Sequence, residues 1–522
     1  MKYHGVRVAA AVALLAVSAG RATGQTVSPI VVAAGGNLQA ALDQAQPGQV
    51  VQVQAGATFT GNFILPVKTG TGYITVRTST PDAQLPAAGT RIGPAYESLL
   101  PTVQALTSGP ALRTAAGSRN WRLIGLRFTT TTGGGDVITL GDGAQRDRTL
   151  VPSDITLDRV IIRGHATAGQ KNGIVLNSAR TQVLNSFIAG VRLAGQESHA
   201  IACWNGPGPF VIENNYIEAG AIGLLFGGSP PAIDQLVPSD IAIRRNHIIR
   251  PLSMRGGTWM VKNLLELKNA RNVVIDGNVI ENNWERDQNG FAILFTPRAH
   301  SASAPWTTIE NVRFENNIVR HTGSAINVLG YDTSYPSRQL RGLVIRNNLF
   351  TDIDQAGWGG TGVFVQIGDS PADVHVEHNT VMHSGHIVSV YGGTPTAPRV
   401  ATGFRFVSNI ARHNAYGIYG NGVGIGNPAI ATYLPGSVIV GNVIAGGAAT
   451  AYPAGNVFPT VASLMAQFEN AAADNYRLIA GSSLRSLPQG VPGVDFDELQ
   501  RAMAGQTGTP PLAPTGLRII TN

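Results

Sequence analysis

From about residue 173 to 446 apolar and polar side chains alternate in short runs: GIVLN, AIACWN, LLELKN, AILFTPR, INVLGYD, VFVQIGD and IVSVYGG. A period of two marks strands with one face buried, and no helical period separates the runs. Between them lies a second set of alternating runs, each built round an asparagine: IENNYI, RRNHII, DGNVIE, ENNIVR, RNNLFT, EHNTVM, VSNIAR and VGNVIA. The asparagines are Asn215, Asn246, Asn278, Asn317, Asn348, Asn379, Asn409 and Asn442, spaced 30 to 39 residues apart. The chain is therefore a repeat of strands and turns.

Strands repeated at this spacing without helices exclude a helical solenoid and a βαβ fold, and a propeller blade needs about forty residues and four strands. The pattern predicts an all-β chain, a right-handed parallel β-helix with an N-terminal cap helix and a C-terminal cap. In such a solenoid a side chain meets its copy one strand spacing away, roughly 4.8 Å. The asparagines are then a buried hydrogen-bonded ladder. Four residues beyond each from Asn246 to Asn409 runs a second column, Arg250, Asn282, His321, Asp352, His383 and His413. It reads either as a hydrogen-bonded turn stack or, round His321, Asp352 and His383, as a metal site or proton relay.

The ends differ from the middle. Lys2 and Arg7 precede the apolar run VAAAVALLAVSA, which has the length of a secretory signal and not of a membrane span, so residues 1–24 are expected to be a signal peptide and the protein secreted, periplasmic or extracellular. Residues 25–118, with NLQAALDQAQPGQ as a short helix, form the entry cap and first coils. Coils fill 119–446, a C-terminal cap 447–505, and a Pro-rich tail 506–522. Nothing later reads as membrane-inserted, and the chain is expected to be a monomer.

Composition narrows the chemistry. Only 13 % of residues are charged, against about 25 % in an average globular protein, and 63 of 522 are glycine. The net charge of +7 suits an acidic polymer, whereas nucleic acid is excluded by the lack of Lys/Arg runs and of interleaved aromatics. Cys203 is the only cysteine, a buried thiol with no partner in the chain.

In LLELKN, Leu265 and Leu267 point into the core, so Glu266 and Lys268 point out; the next coil buries Ile293 and Phe295 and exposes Leu294, Thr296 and Arg298. Stacked strands then build a shallow groove lined by Trp204, Glu266, Lys268, Thr296, Arg298, Asn327, Tyr331, Gln366 and Tyr391. The loops RGGTWMVK and NNWERDQNG wall it with Trp259, Trp284, Arg286 and Asp287. Polar groups and aromatic platforms along a groove suit a polysaccharide. Lysine is rare here, five against 33 arginines, so Lys268 stands out. An ammonium can give up its proton and a guanidinium cannot. Arg298 as neighbour favours the neutral amine; an ion pair with Glu266 favours the ammonium. For a uronate polymer this set suggests β-elimination, with Arg298 neutralising the carboxylate, Lys268 taking the α-proton, and Tyr331 or water returning a proton to the leaving oxygen.

These coils, with the segments NLQAALDQAQPGQVVQVQAGATFTGNF and GTGYITVRTS, resemble the pectate-lyase-like β-helix superfamily, nearest to its alginate lyase and chondroitinase B branch. The resemblance implies a lysine base at 268 and an assisting arginine at 298. It also implies Ca2+ held by carboxylates shortly before the lysine, where this chain has Val261 and Asn263 with Glu266 nearby; the residues themselves call for no cofactor. Two other readings stay open: a glycoside hydrolase using Glu266 with Asp287 or Asp332, which needs carboxyls about 5 to 9.5 Å apart, and a non-catalytic polysaccharide binder or adhesin.

Overall fold

The computed structural model describes residues 28–504. The expected signal peptide at 1–24 and the Pro-rich tail at 506–522 lie outside these residues. Three long sheets of 14, 13 and 13 strands run the length of the molecule, and each takes about every third strand of the chain. Consecutive strands thus go to different sheets and return one rung further on, which is a parallel β-helix. The sheet that bears the candidate site starts at Phe63–Leu65 and ends at Gly424–Ile425, which pairs antiparallel with Ile418–Gly420.

Register lines the core side chains in columns. Ile174, Ile201, Leu224, Leu265, Ile293, Ile326, Val365, Val388 and Ile418 sit opposite one another on successive rungs, all buried. Cys203 lies in the next inward column opposite Phe226. Its thiol is free and buried, and burial pushes it up to about 12, so it is unreactive at neutral pH.

The ladder forms as read. In each step the upper asparagine donates through its backbone N–H and its Nδ2 to the next Oδ1: for Asn246 and Asn278 the distances are 2.9 and 3.0 Å. The same Nδ2 reaches a carbonyl of a neighbouring strand, Ile212 O at 2.8 Å. The residue before each ladder asparagine is left-handed, from Asn214 (φ 56°) to Gly441 (φ 73°), and this turns the chain sharply between sheets. The ladder also extends one step further, Asn442 to Asn456, over a gap of 14 residues that breaks the repeat.

The second column is not a continuous stack. Arg250 is buried with its guanidinium over the Trp284 ring and donates to the carbonyls of Gly220 and Ala221. His321 Nδ1 meets Asp352 Oδ2 at 2.8 Å, with Trp358 Nε1 donating to the same oxygen, while His383 turns inward with neither ring nitrogen hydrogen-bonded to a side chain. Among the described residues no three of His, Cys, Asp or Glu gather as a metal-binding group.

At the entry end the helix Leu38–Gln44, capped by Asn37 through Ala40 N–H, lays Leu38, Ala41 and Leu42 on the open core. At the far end lie the short helix Val461–Met465, a hairpin of Phe468–Asn470 with Asn475–Leu478, and the helix Phe496–Ala504. That last helix is tied down by Arg346–Glu498 and Arg477–Asp497. No described helix is long and apolar enough to cross a membrane.

Two outcomes test this frame. Asn317→Ala removes the donor to Asn348 and Ile275 O and strands the Asn278 N–H that it accepted from. It is expected to cost about 3 kcal/mol, read as a lower urea midpoint; an unchanged midpoint contradicts a structural ladder. Burial, chiefly, pushes the His383 imidazole down to about 3. The unfolded chain therefore takes up a proton below its ordinary value while the folded chain does not, so this contribution to stability is full above about pH 6.5 and lost as pH falls, by about 2 kcal/mol at pH 5. His383→Leu should flatten the stability profile between pH 7 and about pH 5.

Candidate active site

The strands of the site sheet are numbered β1 (Asp136–Gly141), β2 (Asn172–Asn177), β3 (His199–Cys203), β4 (Ile222–Phe226), β5 (Asn263–Leu267), β6 (Phe291–Phe295), β7 (Ser324–Leu329), β8 (Val365–Gly368), β9 (Val388–Tyr391) and β10 (Ile418–Gly420). One outward column reads Val175, Ala202, Leu225, Glu266, Leu294, Asn327, Gln366, Ser389 and Tyr419 from β2 to β10. Lys268 follows β5, and its carbonyl accepts the Arg298 N–H at 3.0 Å. The lysine and the arginine therefore sit on consecutive rungs.

The outward direction is as expected, but the exposure is not. Glu266 has no accessible surface, Lys268 is 9 % exposed, and Leu294 and Thr296 are buried too. The cause is cover from outside the strand. Leu225 packs with Trp204 and Met260, and Leu294 with Phe291 and Val363, so Glu266 lies between two apolar rungs under loop residues. Lys268 Nζ stands 3.1 Å from Glu266 Oε2 outside hydrogen-bond geometry, and neither carboxylate oxygen has a hydrogen-bonded donor. Glu266 thus meets Lys268 as a buried ion pair.

Arg298 keeps about a third of its side chain exposed, and Asp332 orients it at 3.3 Å. Asp332 is almost fully covered and also accepts the N–H groups of Ala299 and Ser334. Burial raises its proton affinity, but those N–H groups and Arg298 outweigh this and hold the carboxyl below its usual range. His300, two residues past Arg298, is exposed and left-handed. Its imidazole is pushed below the ordinary histidine value, first by partial burial and then by the Lys268 and Arg298 charges. Asp332 and Glu197 act the other way.

Beyond Arg298, Gln366 Nε2 donates to Asn327 Oδ1 at 3.3 Å, and the Tyr391 ring lies over Gly368, where a side chain would collide with it. The Tyr391 hydroxyl is pushed up by burial and by Asp369, with Arg298 acting the other way. Tyr331 is exposed beside Asp332. On the opposite side Trp204, over Gly143, borders a cleft of about 440 Å³ lined by Arg113, Asp136, Thr139, Asp142 and Gln145.

Two expected wall residues fall elsewhere. Trp284 is buried with Met254 and Val261 beneath Arg250, because the loop that carries it folds back over the sheet corner. Arg286 is exposed but lines a separate cavity with Arg255, Glu285 and Trp358. Trp259 is half-buried under Arg192, and Asp287 accepts the Val261 N–H. The hydrolase pairs are not available as accessible carboxyls: Glu266 is sealed, and Asp332 is held by Arg298 and two N–H groups. Glu197, His199, Lys262 and His300, unforeseen, border the site; Glu197 and His199 come from the start of β3, two rungs away, and Lys262 from the loop end just before β5, where no repeat signal exists.

Calcium does not fit these residues. Val261 offers no ligand, Asn263 turns its Nδ2 to Phe291 O inside the corner, and Glu266 already faces an ammonium between two leucines. A calcium ion needs about six to eight oxygens.

The chain belongs to the right-handed β-helix family: the family model "Right handed beta helix region" matches residues 116–400. No curated protein matches it. Among solved structures it is similar to the PL6 family alginate lyase AlyGC, with TM-score 0.55 and 14 % identity over 93 % of this chain. The chain spans 60 % of that lyase. It is also similar to a mannuronic acid specific family 6 lyase from human gut microbiota (TM-score 0.47, 10 % identity, 83 % of this chain and 88 % of that). A third is a GH87 α-1,3-glucanase from Streptomyces thermodiastaticus (TM-score 0.46, 15 % identity, 84 % and 71 %).

In a Lys268→Met variant one of the two cations that oppose the His300 imidazolium is gone. Its NMR titration midpoint should move to higher pH; an unmoved midpoint means the two side chains do not share a site.

Proposed function

We propose that the protein is a polysaccharide lyase that cleaves uronate-containing polymers by β-elimination in this groove. The observation that carries the reading is the join of Lys268 to Arg298 across consecutive rungs through one backbone hydrogen bond. A uronate laid along the rungs turns its carboxylate to Arg298, which Asp332 holds in place. Neutralising that carboxylate acidifies the adjacent C–H.

Lys268 rests as the cation of an ion pair, so it must lose a proton before it can accept one. Glu266 is the acceptor at hand, with no other donor competing for its oxygens. Substrate that displaces the last water round the pair favours the neutral couple, since charge separation is costly out of water. The free amine takes the α-proton, its electrons form the new C=C bond, and the glycosidic C–O bond breaks. The departing oxygen takes a proton from Tyr331 or from water. Trp204 and Tyr391 flank this centre as platforms for neighbouring sugars. No step passes through a metal. The AlyGC likeness supports the scaffold for this chemistry.

The test is a panel of uronate polymers followed by the ultraviolet absorbance of unsaturated ends. Lys268→Ala and Arg298→Ala are each expected to lower kcat/KM by about 10²–10⁴-fold, and Arg286→Ala, in the separate cavity, to leave it unchanged. New reducing ends without absorbance make it a hydrolase. Retention on polymer with neither signal makes it a binder.

A further inference from the structure

Glu197 precedes β3 and stands at the groove edge beside the start of β5. One carboxylate oxygen pairs with Lys262 Nζ at 2.5 Å, and the other faces His199 Nε2 at 3.6 Å. His199 is itself pinned from behind. Its Nδ1 lies 2.7 Å from Asn172 Oδ1, Asn172 Nδ2 donates to Asp136 Oδ1 at 2.7 Å, and Thr139 donates to the other Asp136 oxygen.

This chain of bonds has one direction. Asp136 as a carboxylate can only accept, so Asn172 must turn its amide hydrogens to Asp136 and its carbonyl to His199. The Nδ1 edge of His199 is thus turned to Asn172 as a donor, and the buried Nε2 edge faces Glu197, which it holds only as a donor itself, with a proton on each ring nitrogen. Asp136, Asn172 and His199 lie on three consecutive rungs, β1 to β3, so the ring is held by the sheet itself. The side chains of Lys262 and His199 are each 11 % exposed, whereas that of Glu197 keeps 42 %. Two nearly buried groups thus fix one exposed carboxylate.

His199 first, and then Lys262 and Lys268, hold the Glu197 carboxyl below the usual range against the effect of its burial. Lys268 leans back along β5 toward Glu266, and its charge reaches Glu197 as well. An ionised carboxylate in a groove for a polyanion is a paradox if charge attraction is all that matters. It resolves if the carboxylate faces hydroxyls, because a fixed anion accepts O–H donors strongly and repels any anionic substituent in their place.

We propose that Glu197 accepts hydrogen bonds from free ring hydroxyls of the sugar beside Lys268, and so restricts the substrate to uronate polymers that carry no sulfate at those hydroxyls. The assignment rests on the lyase reading of Lys268 and Arg298 for the place of the sugar. Glu197 touches substrate; His199, Asn172 and Asp136 are positioning residues.

The experiment compares one polyuronate with its O-sulfated derivative, in wild type and Glu197→Gln. Glutamine keeps the shape and an acceptor oxygen but loses the charge. The wild-type preference in kcat/KM for the unsulfated polymer is expected to fall at least tenfold in the variant, mostly by gain on the sulfated form. Asp136→Asn frees Asn172 to flip and is expected to raise KM severalfold on the unsulfated polymer with kcat unchanged. An unaltered preference in Glu197→Gln overturns the proposal. The same comparison is made by affinity electrophoresis in Lys268→Ala, where turnover is not needed. If no lyase activity exists in wild type but binding preference still falls in a Lys268→Ala/Glu197→Gln double variant, Glu197 reads hydroxyls and only the lyase reading fails. If activity exists and neither preference moves, the lyase reading stands and Glu197 has no part in specificity.

Discussion

Rung-to-rung hydrogen bonding in register is the constraint on which every other feature of this molecule depends. Parallel strands put each residue directly over its counterpart in the neighbouring coil, and the buried asparagine ladder locks that register from Asn215 to Asn456. A buried amide left without its partner costs more than a weak contact gains, so a coil slipped by one residue is heavily penalised. Register in turn lets Lys268 and Arg298, thirty residues apart, meet through one backbone hydrogen bond.

The same stacking explains why charges can be kept so far from water. Glu266 enters a column between Leu225 and Leu294, where among the described residues no hydrogen-bond donor reaches its carboxylate and Lys268 supplies the opposite charge. Such a pair contributes little net stability, because desolvation offsets attraction. Its retention in a chain with only five lysines is understandable if the proposed proton exchange is its purpose. Arg298 and Glu197 are the reverse case, exposed groups each pinned by buried ones, Asp332 on one side and Lys262 with His199 on the other.

Groove and scaffold therefore follow different rules. The inward columns repeat one type of residue, aliphatic or phenyl, because each rung must fill the same space. The outward column from Val175 to Tyr419 keeps no single type: valine, alanine, leucine, glutamate, leucine, asparagine, glutamine, serine and tyrosine succeed one another. Variation on a fixed lattice is how this fold can carry many chemistries, and fold likeness to AlyGC by itself speaks only to the lattice.

Sequence alone determined the coil, its period, the ladder asparagines, the inward columns and the outward direction of Lys268, since each follows from a local period of two and a turn that recurs. It also brought Lys268 and Arg298 into view through the scarcity of lysine. Only the tertiary structure decided that Glu266 is sealed, that Trp284 is core, that Arg286 lines another cavity, and that Glu197, His199 and His300 border the groove. Those outcomes depend on loops of irregular length folding over the strands, and on side chains meeting across two or three rungs. Alternation states which way a side chain leaves its strand; what then covers it is set by residues tens of positions away.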